Sequence, residues 1–374
     1  MKRETGERPR ACGAGAAPGA DSAALVRSLL AADLTAQGFF GSAFLSRESF
    51  IEALNATAVP EATRQKYDVD SVRGIAVVAL RYGNGEYSTP SWALGSGRGR
   101  DSSLRIARFA RANWYQEVIG RMGSAVAGTI AQAAARGIEL PPAKKWHRLA
   151  NSGLPEKVLA LKSGLGWAGR NTIIIAAKTA ESAKIKATGR MGAGTAFSSA
   201  VVLGLLLCPA DMGSEIPKPA ANRCGDCRRC VDACPTGALS RRFSDAGAGA
   251  LSGQASGYDR QLCIQHWTAI DGEPPLIVRH AMRGILYGCD SCLEACPYFI
   301  PDPEASCGTG RLGPALPAVP FLEATAEELR RNLAGSALDR AWMSMEAFRR
   351  NARISIESVP GDKDCSVADD TAGG

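Results

Sequence analysis

The chain has 374 residues, 45% hydrophobic and 22% charged, with a formal charge of +7. That composition excludes an intrinsically disordered chain and a short disulfide-stapled scaffold, and it leaves room for two or three domains around a sizeable core. A positive balance of this size permits an anionic partner such as nucleic acid without requiring one.

Residues 1–20, "MKRETGERPRACGAGAAPGA", are basic, then rich in Gly, Ala and Pro. They lack the unbroken apolar stretch of a secretory signal and read as a disordered tail. From Ala23 to Leu30 apolar residues recur at helical spacing. Ser71–Gly83, with its β-branched centre and glycine exit, predicts a buried strand. Tyr82–Asp101 is rich in Gly, Ser and Pro and reads as a long loop of the kind that carries function. Leu104–Arg136 reads as helical, with Arg105, Arg108 and Arg111 along it. These three, with Arg98 and Arg100, suit either a solvated face or phosphate contacts. Ser163–Ala177 is a glycine-rich turn feeding an apolar run, and Gly194–Cys208 is a further strand. The longest apolar run, Ala200–Cys208, is far shorter than the ~20 residues that span a membrane. A cytoplasmic protein without a membrane span is expected.

A Pro-rich break at 209–223 marks a domain boundary. The expected division is a disordered tail (1–20), an α+β domain (21–215), a cysteine-rich domain (216–310) and a helical C-terminal segment with a disordered end (311–374). Ser244–Gly257 is a low-complexity surface insertion. Thr325 and Glu328 have capping-box spacing ahead of Leu329 and Leu333.

Seven of the twelve cysteines lie in two runs, which favours a reducing compartment over a disulfide framework. Cys224–Pro235, "CGDCRRCVDACP", has the full C-x2-C-x2-C-x3-C-P spacing of two-cluster ferredoxins. Cys289–Pro297, "CDSCLEACP", keeps the last two gaps and the proline, but Leu286 stands where its first cysteine belongs. In such pairs the fourth cysteine of each run ligates the other cluster. One cubane then takes Cys224, Cys227, Cys230 and Cys296; the second takes Cys234, Cys289 and Cys292 and needs one more ligand. Cys12 and Cys365 sit in the tails, Cys307 in a loop, and Cys208 ends a strand, where it packs as a small hydrophobe. Cys263, between the runs, is the expected eighth ligand. Structural zinc also uses CxxC pairs, but it does not call for this rhythm in two copies. Two [4Fe–4S] clusters are an electron conduit, so the N-terminal half is expected to hold an electron acceptor or substrate.

In order and spacing, "RCGDCRRCVDACPTGAL", "DRQLCIQHWT" and "LYGCDSCLEACPYF" resemble the cluster domain of the epoxyqueuosine reductase family. "LPEKVLALKSGLGW", "GLGWAGRNTIII" and "AFRRNARISI" extend the resemblance, which runs from about residue 23 to 356. It implies an α+β cobalamin-binding domain similar to that of reductive dehalogenases, a ferredoxin-like double-cluster domain and a helical C-terminal segment. The cofactors implied are two [4Fe–4S] clusters and base-off cobalamin, with corrinoid contacts at Tyr82, Arg148, Asn151, Ser152 and Gln265. The reaction implied is reduction of epoxyqueuosine to queuosine in tRNA. Electrons would come from a low-potential donor such as flavodoxin or ferredoxin.

Three departures accompany the resemblance. The family's "[YF]-A-x-G-x-D-Y-H" stretch, whose Asp is the proposed proton donor, reads "FARANWYQ" here, with Trp114 at the Asp position. An indole N–H donates a hydrogen bond but is no acid at neutral pH. The family's "V-D-[ST]-x-P" reads "ANSGLP", with Asn151 at the Asp, and its "GLGW-x-G-K" lysine is Arg170. Asp101 becomes the candidate acid, with His147 and Tyr115 as alternatives. Two further readings remain: a related corrinoid reductase with a small-molecule substrate, and a cobalamin-free electron-transfer protein. Glu156 matches the family and could equally serve a structural ion pair. His266 and His280 read as surface residues or as cofactor contacts. Arg349, Arg350 and Arg353 read as RNA contacts or a solvated face.

Overall fold

The computed structural model describes residues 20–93, 103–179, 196–213, 218–239 and 257–357. Asp101, Arg98, Arg100, Cys12, Cys365, the N-terminal tail and most of the 244–257 insertion lie outside the described residues.

In chain order the N-terminal elements are α1 (Ala20–Ala36), β1 (Gly41–Ser46), α2 (Arg47–Ala56), α3 (Glu61–Lys66), β2 (Gly74–Arg81) and β3 (Ser103–Ile106). They continue with α4 (Trp114–Ala134), β4 (His147–Leu149), α5 (Glu156–Lys162), β5 (Gly166–Ala168), β6 (Ile174–Ala177), β7 (Phe197–Ser198) and β8 (Val201–Cys208). The buried strand expected within Ser71–Gly83 is β2. Its residues alternate between two cores: Ala76, Val78 and Leu80 face one, and Ile75, Val77 and Ala79 face the other. A strand apolar on both faces must be central and covered on both sides. Accordingly β2 lies between β1 and β8 in an antiparallel sheet of order β1-β2-β8-β4.

One face of this sheet is covered by α1 and α4 through Leu30, Leu34, Val118 and Met122; the other is covered by α2 and α5 through Phe50, Leu54, Leu159 and Ala160. Each such side chain contributes about 1.5–3 kcal/mol when fully buried. Gly204 sets how closely α4 approaches. A Cβ there would lie 2.5 Å from Val118 Cγ1 and 2.9 Å from Val78 Cγ2.

The helix expected over Leu104–Arg136 begins only at Trp114. Before it, Leu104 and Ile106 are buried while Ser103 and Arg105 are exposed, a period of two that makes β3 a strand. Asn113 caps α4 by accepting from the Gln116 amide at 3.3 Å. Arg105, Arg108 and Arg111 therefore do not share a helix face. Arg108 pairs with Glu294 at 2.9 Å, and Arg111 donates to the carbonyls of Ile106 and Asn84.

β3 pairs parallel with β9 (Ile285–Tyr287) and antiparallel with β10 (Ala315–Pro317), so one small sheet joins three distant segments. The C-terminal helices Ala326–Leu333 and Met345–Ile356 pack Leu329, Leu333 and Phe348 on Leu104, Ile106 and Leu286. The capping box at Thr325 and Glu328 is present. Among the described residues no helix is long and apolar enough to cross a membrane.

Candidate cluster and cofactor site

Each cysteine run forms a tight loop closed by one helical turn, Arg229–Asp232 in the first and Ser291–Glu294 in the second. The thiols fall into two neighbourhoods. Burial pushes Cys230 up to about 11, and the next contributions come from Cys296, Cys224 and Cys227. Burial also raises Cys292, followed by the charges of Cys289, Cys263, Cys230 and Cys234. Thiols that raise one another in this way stay deprotonated together only around a cation, which iron supplies. Among the described residues no three Cys, His, Asp or Glu side chains converge tightly enough to hold one metal ion.

Leu286 stands where the first cysteine of the second run is missing, and it belongs to β9 in a sealed core. Its carbonyl accepts from Asn351 Nδ2 at 2.9 Å. The strand turns into the cluster loop at Gly288, whose φ is +79° and whose Cβ would stand 2.4 Å from Ala107 Cβ. Only glycine serves there.

The turn between β5 and β6 ties both loops to the N-terminal half. Arg170 Nη2 donates to the Gly225 carbonyl at 2.7 Å, and Asn171 Nδ2 donates to the Cys292 carbonyl at 3.2 Å. Thr172 has φ +63°, an uncommon conformation for a β-branched residue, and its carbonyl accepts from Lys157 Nζ at 3.1 Å.

Between this turn and the second cysteine group lies a cavity of about 370 Å³. β4 covers β8 only at Leu205–Leu207, and the uncovered β8 residues Val201, Val202 and Leu203 form one wall. Cys234, Cys263, Cys289 and Cys292 line the opposite side; none of Cys224, Cys227, Cys230 and Cys296 does. The polar lining includes Tyr82, Tyr115, Asn151, Glu156, Lys157, Asn171, Thr172, Tyr258 and Gln265. Asn151 and Thr172, both at left-handed φ, thus flank one cavity. Burial raises Tyr82 and Tyr115 well above the ordinary phenol range. Burial likewise lifts the Glu156 carboxyl to about 7 against the hydrogen bonds from Ser152. The partner of Glu156 is Ser152 rather than a cation: the Ser152 amide and Oγ donate to Oε1 at 2.7 and 2.9 Å.

Of the expected corrinoid contacts, Tyr82, Asn151 and Gln265 line the cavity, and Arg148 and Ser152 do not. Strand alternation turns Arg148 toward α4, where its guanidinium lies against Gly123. Ser152 is spent on Glu156. Trp114 is also absent from the lining, because α4 turns its indole into the core beside Tyr82. His147, His266 and His280 lie elsewhere. Arg350 is buried and donates to the carbonyls of Ile270, Gly272 and Trp267, which removes it from any RNA-contacting set. Lys157, Asn171 and Thr172 were not singled out in the sequence; the only trace of them is that each sits in or beside the "LPEK" and "GRNT" motifs.

A corrinoid is a flat apolar ring fringed with amides, and this donor set suits one face of it. The lining combines the apolar Ile173, Leu203 and Leu239 with the amides of Asn151, Asn171 and Gln265, and no lining residue is a histidine that would coordinate cobalt. The cavity would enclose part of such a molecule and leave the remainder in its open mouth.

Residues 223–298 match the family model of the 4Fe-4S double cluster binding domain. The class defined by the fold and the cysteine loops is therefore that of a double-cluster iron–sulfur protein. Beyond that domain, the chain's sequence is similar to those of epoxyqueuosine reductases. It is 26% identical to the enzyme of Staphylococcus aureus over 330 residues, covering 82% of this chain and 71% of that one. It is 30% identical to that of Vibrio cholerae over 210 residues, covering 55% and 47%. Its fold is that of the solved epoxyqueuosine reductase of Streptococcus thermophilus, with TM-score 0.56 and 18% identity over 87% of this chain and 79% of that one. A solved epoxyqueuosine reductase in complex with an epoxyqueuosine-modified tRNA-Tyr stem loop superimposes with TM-score 0.55 at 19% identity, covering 89% and 81%.

Proposed function

We propose that the chain is a cytoplasmic oxidoreductase that reduces epoxyqueuosine to queuosine in tRNA. Electrons enter from a low-potential donor such as flavodoxin or ferredoxin and pass through two [4Fe–4S] clusters to a corrinoid. The observation that carries this reading is the cavity walled by Cys234, Cys263, Cys289 and Cys292 on one side and by the N-terminal sheet on the other. One cubane, on Cys234, Cys263, Cys289 and Cys292, would fill the cysteine-lined end of the cavity; the other, on Cys224, Cys227, Cys230 and Cys296, would lie behind it. That order makes an electron path ending at the cavity wall.

Tyr82, Asn151, Asn171 and Gln265 would hold the corrinoid, which when bound supplies a reducible cobalt centre. The chain's own part is positional. Arg170 and Asn171 fix the cluster loops against the cavity, Thr172 and Lys157 lock the turn between them, and the aromatic rings of Tyr82 and Tyr115 keep bulk water from the inner wall.

One observation favours the second reading, a corrinoid reductase with a small-molecule substrate. Trp114 replaces the family's acid and is turned away from the cavity. Incubating anaerobically purified protein, cobalamin and a low-potential reductant with an epoxyqueuosine-bearing tRNA stem loop decides between them. Conversion to queuosine supports the first reading, and bound corrinoid with no conversion supports the second.

A further inference from the structure

Reduction of an epoxide to an alkene consumes two electrons and two protons and releases one water. The oxygen must be protonated as its C–O bonds break. With Trp114 sealed in the core, another group must supply that proton. We propose that Glu156 is the proton donor to the substrate oxygen, an assignment that rests on the epoxide-reductase reading above.

Three observations support it. Glu156 is the one carboxyl among the described residues that line the cavity. Its orientation is fixed, because the Ser152 amide and Oγ both donate to Oε1, at 2.7 and 2.9 Å. The Asn151 backbone also bonds to the carboxyl, so the group is held in place on the cavity wall. Finally, Glu156 opens α5 and lines the same cavity as the second cysteine group, so proton and electrons reach the same space. Burial keeps the carboxyl protonated near neutral pH.

Lys157, beside Glu156 on α5, also lines the cavity; burial lowers its pKa, and its ammonium donates to the Thr172 carbonyl at 3.1 Å. Tyr115 on α4 and Tyr82 at the end of β2 are held far above the range in which a phenol gives up its proton, as is Tyr258 across the cavity. On α2, which packs against α5, Glu52 pairs with Lys162 at the far end of the helix.

In the step itself, two electrons supplied by a low-potential one-electron donor arrive through the clusters. Glu156 gives its proton to the oxygen as the first C–O bond breaks and is reprotonated from solvent at the cavity mouth. A second proton then accompanies loss of the second C–O bond, and the oxygen leaves as water.

The test compares wild type with Glu156→Gln and Glu156→Asp, all carrying both clusters, in single-turnover conversion of the epoxyqueuosine stem loop across pH. Glu156→Gln keeps the Ser152 bonds and is expected to slow conversion about a hundredfold or more, with iron content and stem-loop affinity unchanged. Glu156→Asp is expected to retain partial activity with a shifted pH profile. A readout independent of corrinoid is the infrared carboxylic-acid band, which should titrate near pH 7 in wild type and vanish in Glu156→Gln. Active wild type with Glu156→Gln within about threefold of it overturns the assignment and leaves the reading intact. Wild type that binds corrinoid and both clusters but converts nothing overturns the reading and the assignment with it.

Discussion

Trp114 stacks beside Tyr82 with ring centroids 6.5 Å apart and planes at 45°, one ring sealed in the core and the other lining the cavity. Adjacent positions of the α4 start thus divide their labour. Trp114 points inward, and Tyr115 takes the place at the cavity wall.

This pairing predicts the fate of Trp114→Asp. A carboxylate at a fully buried position, in the void left by an indole, lacks both partner and solvent. The substitution should destabilise the protein by about 4 kcal/mol or more and yield no gain of epoxide reduction. Denaturant unfolding of the two proteins checks it. The buried indole N–H has no hydrogen-bond partner, so Trp114→Phe should fall well short of that loss.

The cysteine neighbourhoods predict iron stoichiometry. Anaerobically purified protein should hold about eight irons, and Cys263→Ala should retain about four, with loss confined to one cluster signal. Cys208→Ala, in the sheet core, should leave iron content unchanged and lower stability instead.

Arg350 and Arg353 should separate sharply although they lie one helical turn apart. Arg350→Ala strands the carbonyls of Ile270, Gly272 and Trp267 and should cost about 3 kcal/mol or more. Arg353 is exposed, and Arg353→Ala should change stability by less than about 0.5 kcal/mol. Thermal or denaturant melts of both variants decide.

Glu156 also predicts a pH dependence of stability. Its folded pKa of about 7 lies above the ordinary 4.5, so the folded chain binds the extra proton between these values. The stabilisation is fully present below about pH 4.5 and is lost as pH rises through 7, a change of roughly 3 kcal/mol. Glu156→Gln should flatten that slope.

The central strand, the cluster loops and the capping box were legible because their signals are local: a β-branched run, fixed cysteine spacing, a Thr–Glu offset. Counting ligands against loops points to Cys263, and the structure sets it in the electrostatic surroundings of Cys289 and Cys292. The strand Ser103–Ile106 was missed because four residues of alternation are easily absorbed into the helical pattern that follows, and its partners lie some 180 and 210 residues away. Arg350 was misjudged because nothing in an Arg-Arg pair says which side chain the helix turns inward. Ser152 adjoins and Arg148 lies three residues from the cavity residue Asn151, but a carboxylate partner and strand alternation direct them elsewhere. Glu156 was left between two roles because its burial is a tertiary property of α5.

The most direct test of the central claim is nucleoside analysis of tRNA from a strain lacking this gene and any second gene of the kind. The account predicts accumulation of epoxyqueuosine with loss of queuosine, reversed by the wild-type gene. Normal queuosine in that strain would contradict it.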